Sequence, residues 1–275
     1  MITSRQNSLI VKLCKLDDRK QRDAERLFRF DGIKLFCEAV NANITLEYVL
    51  IKESDEEKIQ SIIKEQFSQS KTPQNCEQLV LSDNVFEKLT EEKSAEGIIC
   101  IAKYIDKLHK IVKIYSNDDF SSLKDKNILL VEDVRDPGNL GTIIRSSFAF
   151  CNDVLILGGC ADIYNSRVVR AAMGALFKQE IIVTDDLVGF INGLVTNNRR
   201  VLATALDQNA QKLQEFSLLD NDCFVIGNEG HGLSKEALNI SSAKVYIPMQ
   251  TGSESLNAGV AASLCLWQRY SSHKQ

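Results

Sequence analysis

Residues 127–145 read Asn127-Ile128-Leu129-Leu130-Val131-Glu132-Asp133-Val134-Arg135-Asp136-Pro137-Gly138-Asn139-Leu140-Gly141-Thr142-Ile143-Ile144-Arg145, and this stretch decides the fold. A short apolar run ending in acidic and turn residues is a strand buried on both faces. Pro137-Gly138 marks a turn, and an amphipathic helix follows. Asn139 is placed to cap that helix near Gly141, which sets Arg145 about one turn inside it. Further apolar runs follow at 154–157, 181–183, 201–203, 224–226 and 245–247, most of them separated by helical segments. The alternation predicts an α/β domain with a mostly parallel sheet, whose ligand site lies beyond the carboxyl ends of the strands.

Two more strand-end segments are unusual. Gly227, Gly230 and Gly232 fall within six residues after the run at 224–226, which suggests close backbone approach to a ligand. Leu233 follows Gly232 where a Walker A loop needs Lys, and the spacing does not fit a dinucleotide fingerprint. A nucleotide-dependent ATPase or oxidoreductase is disfavoured on those grounds. The last segment, Ile247-Pro248-Met249-Gln250-Thr251-Gly252-Ser253-Glu254-Ser255-Leu256-Asn257, precedes a helix rich in Ala and Gly, capped by Ser255 or Asn257. Its small residues suit either a tight core or a subunit interface.

Outward toward the N-terminus, residues 1–108 alternate helical and strand-like segments and form a small α/β unit. Residues 109–126 are polar and charged and read as a linker, with an edge strand near 111–115 as the alternative. Residues 127–275 form the larger domain. The basic residues from Arg5 to Arg29 are Arg5, Lys12, Lys15, Arg19, Lys20, Arg22, Arg26 and Arg29; a helix opening at Ser8 is expected to run on into this stretch, ahead of a short strand at 27–30 and a turn at Asp31-Gly32. That stretch is either a solvated face laced with ion pairs such as Asp18 with Arg22, or a surface that contacts phosphate.

The composition, 44% hydrophobic and 25% charged, is that of a globular protein, and a net charge of −4 leaves room for a local basic patch. The eight cysteines show no C-x-x-C spacing and read as free, mostly buried thiols. With three histidines, no metal site is expected. The absence of an apolar leader or spanning run points to the cytoplasm and away from membranes.

In order, the three strand-end segments resemble the signature motifs of the SpoU (TrmH) family of RNA ribose 2′-O-methyltransferases. The matching residues are Asn139, Gly141 and Arg145, then Gly227, Glu229, Gly230 and Gly232, then Ile247, Pro248, Met249, Ser255, Leu256 and Asn257. Tyr164-Asn165 and the run from Arg170 to Ala175 are similar to the family as well. Residues 2–7 and 28–34 resemble the ribosomal-protein-like RNA-binding domain joined to many members, with Asp31 where Glu is commoner.

The resemblance implies a SPOUT-type catalytic domain, its sheet closed by a trefoil knot, working as a homodimer through that domain. It implies S-adenosylmethionine held by Gly227, Ile247, Met249 and Leu256, flanked by Thr204, Ala205 and Leu206. Arg145 would be the key catalytic residue; because guanidinium stays protonated, it would stabilise a developing alkoxide and grip phosphate. Asn139 would position Arg145 or the ribose, and Glu229 would orient that network or accept the proton. Ser255 and Asn257 would order the third motif and contact cofactor or ribose. Arg5, Arg19, Lys20, Arg22, Arg29 and Lys34 are the candidate RNA contacts. Large-subunit ribosomal RNA is the favoured substrate and transfer RNA the second. The reading from another class is a non-catalytic RNA-binding or ribosome-assembly factor on the same fold.

Overall fold

The computed structural model describes residues 1–69, 76–90, 96–112, 117–250, 252 and 255–272. The chain divides into two compact units, Met1–Ile105 with Asp162–Phe177, and Asp106–Ala161 with Lys178–Gln275.

The first unit runs through α1 (Ser8–Cys14), α2 (Arg19–Glu25), β1 (Leu27–Asp31), α3 (Ile33–Asn41), β2 (Leu46–Lys52), α4 (Glu56–Gln69), β3 (Glu77–Leu81), α5 (Asp83–Leu89) and β4 (Ile98–Lys103). Its sheet has the order β1-β4-β2-β3, with β4 antiparallel to both neighbours and β2 parallel to β3. Leu50, Ile99 and Ile101 of the sheet pack against Ile10, Leu13, Val85 and Phe86 from α1 and α5.

The basic stretch is not one helix. Asp18 takes an extended conformation (φ −86°, ψ 128°) and its carboxylate accepts from the Lys20 amide, so α2 starts afresh. Asp18 therefore serves as a cap, and the ion pair expected between it and Arg22 does not form.

The second unit holds β5 (His109–Val112), α6 (Asn117–Ser122), β6 (Ile128–Glu132), α7 (Pro137–Ala149) and β7 (Val154–Gly158). The chain then makes α8 (Ser166–Ala172), which lies with the first unit, where Tyr164 stacks on Tyr104 at 4.0 Å and Phe177 meets Phe30. It continues through β8 (Glu180–Thr184), α9 (Leu187–Thr196), β9 (Val201–Thr204), β10 (Gln211–Lys212), β11 (Cys223–Ile226), α10 (Lys235–Ile240), β12 (Ala243–Tyr246) and α11 (Ala258–Ser272).

These strands form one eight-stranded sheet, order β10-β12-β9-β11-β6-β7-β8-β5, with every pairing parallel. The central strands β6, β7 and β11 are buried almost throughout, as runs of Ile, Leu and Val demand when both faces are covered. The segment read as a linker thus supplies an edge strand, β5, paired with β8. The strand expected over 245–247 ends at Tyr246, one residue early.

Two buried arginines tie the strand starts together. Arg269 of α11 donates to the carbonyls of Ile128 and Asp222 and to Asn152 Oδ1. Arg199 donates to the carbonyls of Leu123, Lys124, Lys126 and Asn221. With those groups satisfied, the carboxyl ends of β6, β9, β11 and β12 are left to build the site.

Candidate active site

The site is assembled from four loops that leave neighbouring parallel strands on the same side of the sheet. The first is the segment before α7. Asp136, not Asn139, caps that helix: its carboxylate accepts from the Asn139 amide at 2.8 Å, and Pro137 occupies the first turn, where no N–H is needed. The Asp-Pro pair carried this signal in the sequence. The consequence is chemical, since the Asn139 side chain is released from capping.

That side chain sits in the middle of a polar chain. Its Nδ2 donates to Glu229 Oε1, and its Oδ1 accepts from Asn257 Nδ2 at 2.6 Å. Asn257 in turn caps α11, its Oδ1 accepting from the Val260 amide at 3.2 Å. One residue from each signature segment is thereby joined across 118 positions of sequence. The direction of every amide is fixed, because the helix amide demands an oxygen at one end and the carboxylate demands a donor at the other.

The glycine loop after β11 is closed on itself. Asn228 and Gly232 exchange backbone hydrogen bonds, and Asn228 Oδ1 accepts from the Gly230 amide at 2.8 Å. A Cβ on Gly227 would lie 2.5 Å from the Gly232 carbonyl carbon and the Leu233 nitrogen, so a side chain there is excluded by backbone. Gly232 differs: open space surrounds it, and its φ of +71° is what favours glycine. Glu132 at the end of β6 anchors the loop's exit, accepting from both the amide and the hydroxyl of Ser234.

Beside this loop lies a cavity of about 370 Å³, within the usual size of small-molecule sites. Its walls include Thr204, Ala205 and Leu206 after β9, and Ile226 and Gly227 after β11. Ile247, Met249, Ser255 and Leu256 before α11 complete them, with Glu229 also on the wall. All seven residues expected to hold the cofactor are thus brought to one cavity. Leu238 of α10 and Tyr246 of β12 also line it and were not anticipated. The aromatic next to Ile247 was the signal available for Tyr246, and nothing in the sequence marked Leu238. Thr204 directs its hydroxyl to the Val225 carbonyl at 2.8 Å, which stitches β9 to β11 at the cavity floor.

Arg145 is nine residues into α7 counting from Pro137, two turns rather than one. It is exposed, and among the described residues it makes no hydrogen bond or ion pair. Neither it nor Asn139 or Asn257 belongs to the cavity wall. Thr251, Ser253 and Glu254 of the third segment lie outside the described residues.

The expected RNA contacts separate into two groups. Arg5, Arg19, Lys20 and Lys34 are exposed. Arg22 and Arg29 are not: Arg22, 4% exposed, pairs with Asp162 and donates to the carbonyls of Leu16 and Asp17. Arg29, 8% exposed, pairs with Asp17 at 2.6 Å. Both are internal braces of the first unit, buried away from any phosphate.

Residues 126–267 match the SpoU rRNA Methylase family, and residues 7–100 match the MRM3-like substrate binding domain. The chain belongs to the SpoU rRNA methylase family. It is therefore an S-adenosylmethionine-dependent RNA 2′-O-ribose methyltransferase, as its three signature segments implied. This SpoU-family enzyme is 29% identical over 267 residues to a 23S rRNA (guanosine(2553)-2′-O)-methyltransferase, RlmP, of Bacillus subtilis (strain 168), covering 97% of each chain. An RNA 2′-O ribose methyltransferase of known crystal structure is 27% identical, with a TM-score of 0.79 over 100% of this chain and 99% of that one. The AdoMet-bound rRNA methyltransferase from Sinorhizobium meliloti shares the fold, with a TM-score of 0.80 at 23% identity over 98% of this chain and 97% of that one.

Proposed function

We propose that this enzyme methylates a ribose 2′-hydroxyl of large-subunit ribosomal RNA. The observation that carries the assignment of its catalytic centre is the hydrogen-bonded chain from Asn257 through Asn139 to Glu229, set beside the cavity. The full-length likeness to RlmP supports ribosomal over transfer RNA. On this reading, residues 1–108 serve as the RNA substrate-binding domain and 127–275 as the catalytic domain.

The cavity suits S-adenosylmethionine. Leu206, Ile226, Met249 and Leu256 give apolar walls for adenine, and the backbone near Gly227 and Ile247 is bare enough to offer main-chain hydrogen bonds. When bound, the cofactor supplies a methyl group on a sulfonium whose departure leaves a neutral thioether, so no general acid is required. The protein's task is alignment and charge. Asn139 and Asn257 hold the Glu229 carboxylate on the cavity wall, where it orders the ribose. Ser255, on the same wall, meets the cofactor or ribose. Arg145, without a partner among the described residues, is available to a phosphate and to the charge growing on the 2′-oxygen.

The same reading includes a homodimer and a trefoil knot. Val260, Leu264 and Trp267 (46%, 39% and 51% exposed) recur along one face of α11, and Phe148 is exposed on α7, an apolar surface that calls for a partner. The chain leaves β12, beyond β9, yet α11 returns to the starts of β6 and β11 through Arg269, a crossing that supports the knot. Among the described residues no helix is long and apolar enough to cross a membrane.

The test is methyl transfer by the purified protein from methyl-labelled S-adenosylmethionine to RNA isolated from cells lacking it. Label should enter 23S rRNA alone and survive alkaline hydrolysis in a dinucleotide, the mark of 2′-O-methylation. Label in transfer RNA, or in a base, would overturn the assignment.

A further inference from the structure

His231 stands at the tip of the glycine loop, between Gly230 and Gly232, and lines the cavity with Glu229. Its Nε2 lies 3.3 Å from Asp133 Oδ2. The other carboxylate oxygen of Asp133 accepts from Arg135 Nε at 2.7 Å. Asp133 is itself held in an unusual backbone conformation for a non-glycine residue, with φ 55°. Its amide donates to the Gly158 carbonyl, and its carbonyl accepts from Asn228 Nδ2 at 2.8 Å. Asn228 Oδ1 then accepts from the amides of Gly230 and His231. Loop backbone and Asp133 therefore fix each other, while the His231 side chain on that loop is 65% exposed and open to a substrate.

The 2′-hydroxyl must lose a proton as it is methylated. Arg145 is a poor acceptor because guanidinium stays protonated, and one oxygen of Glu229 is occupied by Asn139. Imidazole is the side chain that exchanges protons near neutral pH. A carboxylate 3.3 Å from Nε2 favours a proton there and leaves Nδ1 with its lone pair, the arrangement a general base needs.

We propose that His231, oriented by Asp133, is the proton acceptor of the reaction. The inference rests on the RNA 2′-O-methyltransferase reading. In the step, the 2′-hydroxyl proton passes to Nδ1 of His231 and an oxygen electron pair forms the O–CH₃ bond. The carbon–sulfur bond breaks with its pair retained by sulfur. The charged groups facing His231 are Asp133, Arg135 behind it, and Glu229 on its own loop.

Two readouts test this. The first is single-turnover methylation of 23S rRNA, taken from cells lacking the protein, between pH 5.5 and 9, with RNA affinity measured separately by filter binding. His231→Gln should lower the rate by about 10² to 10³-fold at unchanged affinity and abolish the acidic limb of the wild-type profile. Asp133→Asn should lower it less. The second is the imidazole tautomer by nitrogen NMR on the cofactor-free protein, where Nε2–H with a bare Nδ1 is expected. A rate within twofold of wild type with the acidic limb retained would overturn the proposal. So would a loss confined to RNA affinity, which is the behaviour of a phosphate contact. If the wild type transfers no methyl group, the activity reading has failed, and the tautomer still decides: Nδ1–H would refute the base assignment.

Discussion

The basic segment at residues 5–29 and the three strand-end loops were both singled out by sequence, and the structure treats them differently. In the loops, residues far apart in sequence converge: Asn139, Glu229 and Asn257 form one chain, and seven expected cofactor contacts share one cavity. In the basic segment, the five expected RNA contacts divide into three exposed side chains and two buried braces, Arg22 and Arg29. The difference has a physical cause. A glycine pressed against backbone, or a carboxylate at the end of a chain of two side-chain amides, can satisfy few other roles, so such residues announce a site. An arginine serves equally well as a phosphate contact or as an internal staple over carbonyls, and sequence does not separate the two.

The comparison can be broken first at its tightest point. Gly227→Ala places a Cβ against the Gly232 and Leu233 backbone, so S-adenosylmethionine affinity should fall at least about 100-fold, roughly 2.7 kcal/mol, in a calorimetric titration. Circular dichroism should remain that of the wild type. Retained affinity would mean that the loop does not shape the cavity.

Next comes the polar chain. Asn139→Ala should slow single-turnover methylation by about 10²-fold, with cofactor affinity changed by less than threefold, since Asn139 is not on the cavity wall. A stability loss with an intact rate would make the chain a brace.

The basic segment offers a sharper contrast. Arg22→Ala leaves the partly buried Asp162 without its partner and the Leu16 and Asp17 carbonyls without their donor, so unfolding stability should drop by about 3 kcal/mol in denaturant titration, with the RNA affinity of the folded fraction unchanged. Charge reversal at Arg19 and Lys20 should do the opposite, holding stability within about 0.5 kcal/mol while weakening RNA binding and flattening its salt dependence. Equal effects from both changes would erase the distinction between braces and contacts.

The smallest effect concerns the thiols. Burial pushes the Cys223 thiol up to about 11 and the Cys265 thiol up to about 12, while Cys151 is exposed. In the unfolded chain these thiols ionise near pH 9, whereas in the folded protein they stay protonated, so their stabilising contribution is complete below pH 9 and lost above it. Stability should fall by about 1.4 kcal/mol per pH unit for each such thiol between pH 9 and 11. Cys223→Ala should remove one share of that slope. At pH 8, alkylation should reach Cys151 and spare Cys223 and Cys265 until the protein unfolds.

Much of the fold was legible because its period is simple. Apolar runs of four residues became the central parallel strands nearly to the residue. What escaped the sequence depended on competition between local hydrogen bonds. Asp18 broke a helix that the basic pattern seemed to continue, and Asp136 took the capping role that Asn139 was equally equipped to fill. Both outcomes turn on which of two neighbouring side chains reaches an amide first. The placement of α8 with the first unit escaped for a different reason, since Tyr164 and Phe177 on either side of it meet Phe28, Phe30 and Tyr104, sixty or more positions away.

The central claim, that the three loops form one RNA-methylating centre, is tested most directly in cells. Ribose methylation would be mapped by mass spectrometry on total RNA with and without the protein, and again after complementation. The account predicts that one 2′-O-methyl nucleotide of 23S rRNA disappears, returns with the wild type, and stays absent with Arg145→Ala. Full restoration by Arg145→Ala, or an unchanged methylation map in cells lacking the protein, would contradict it.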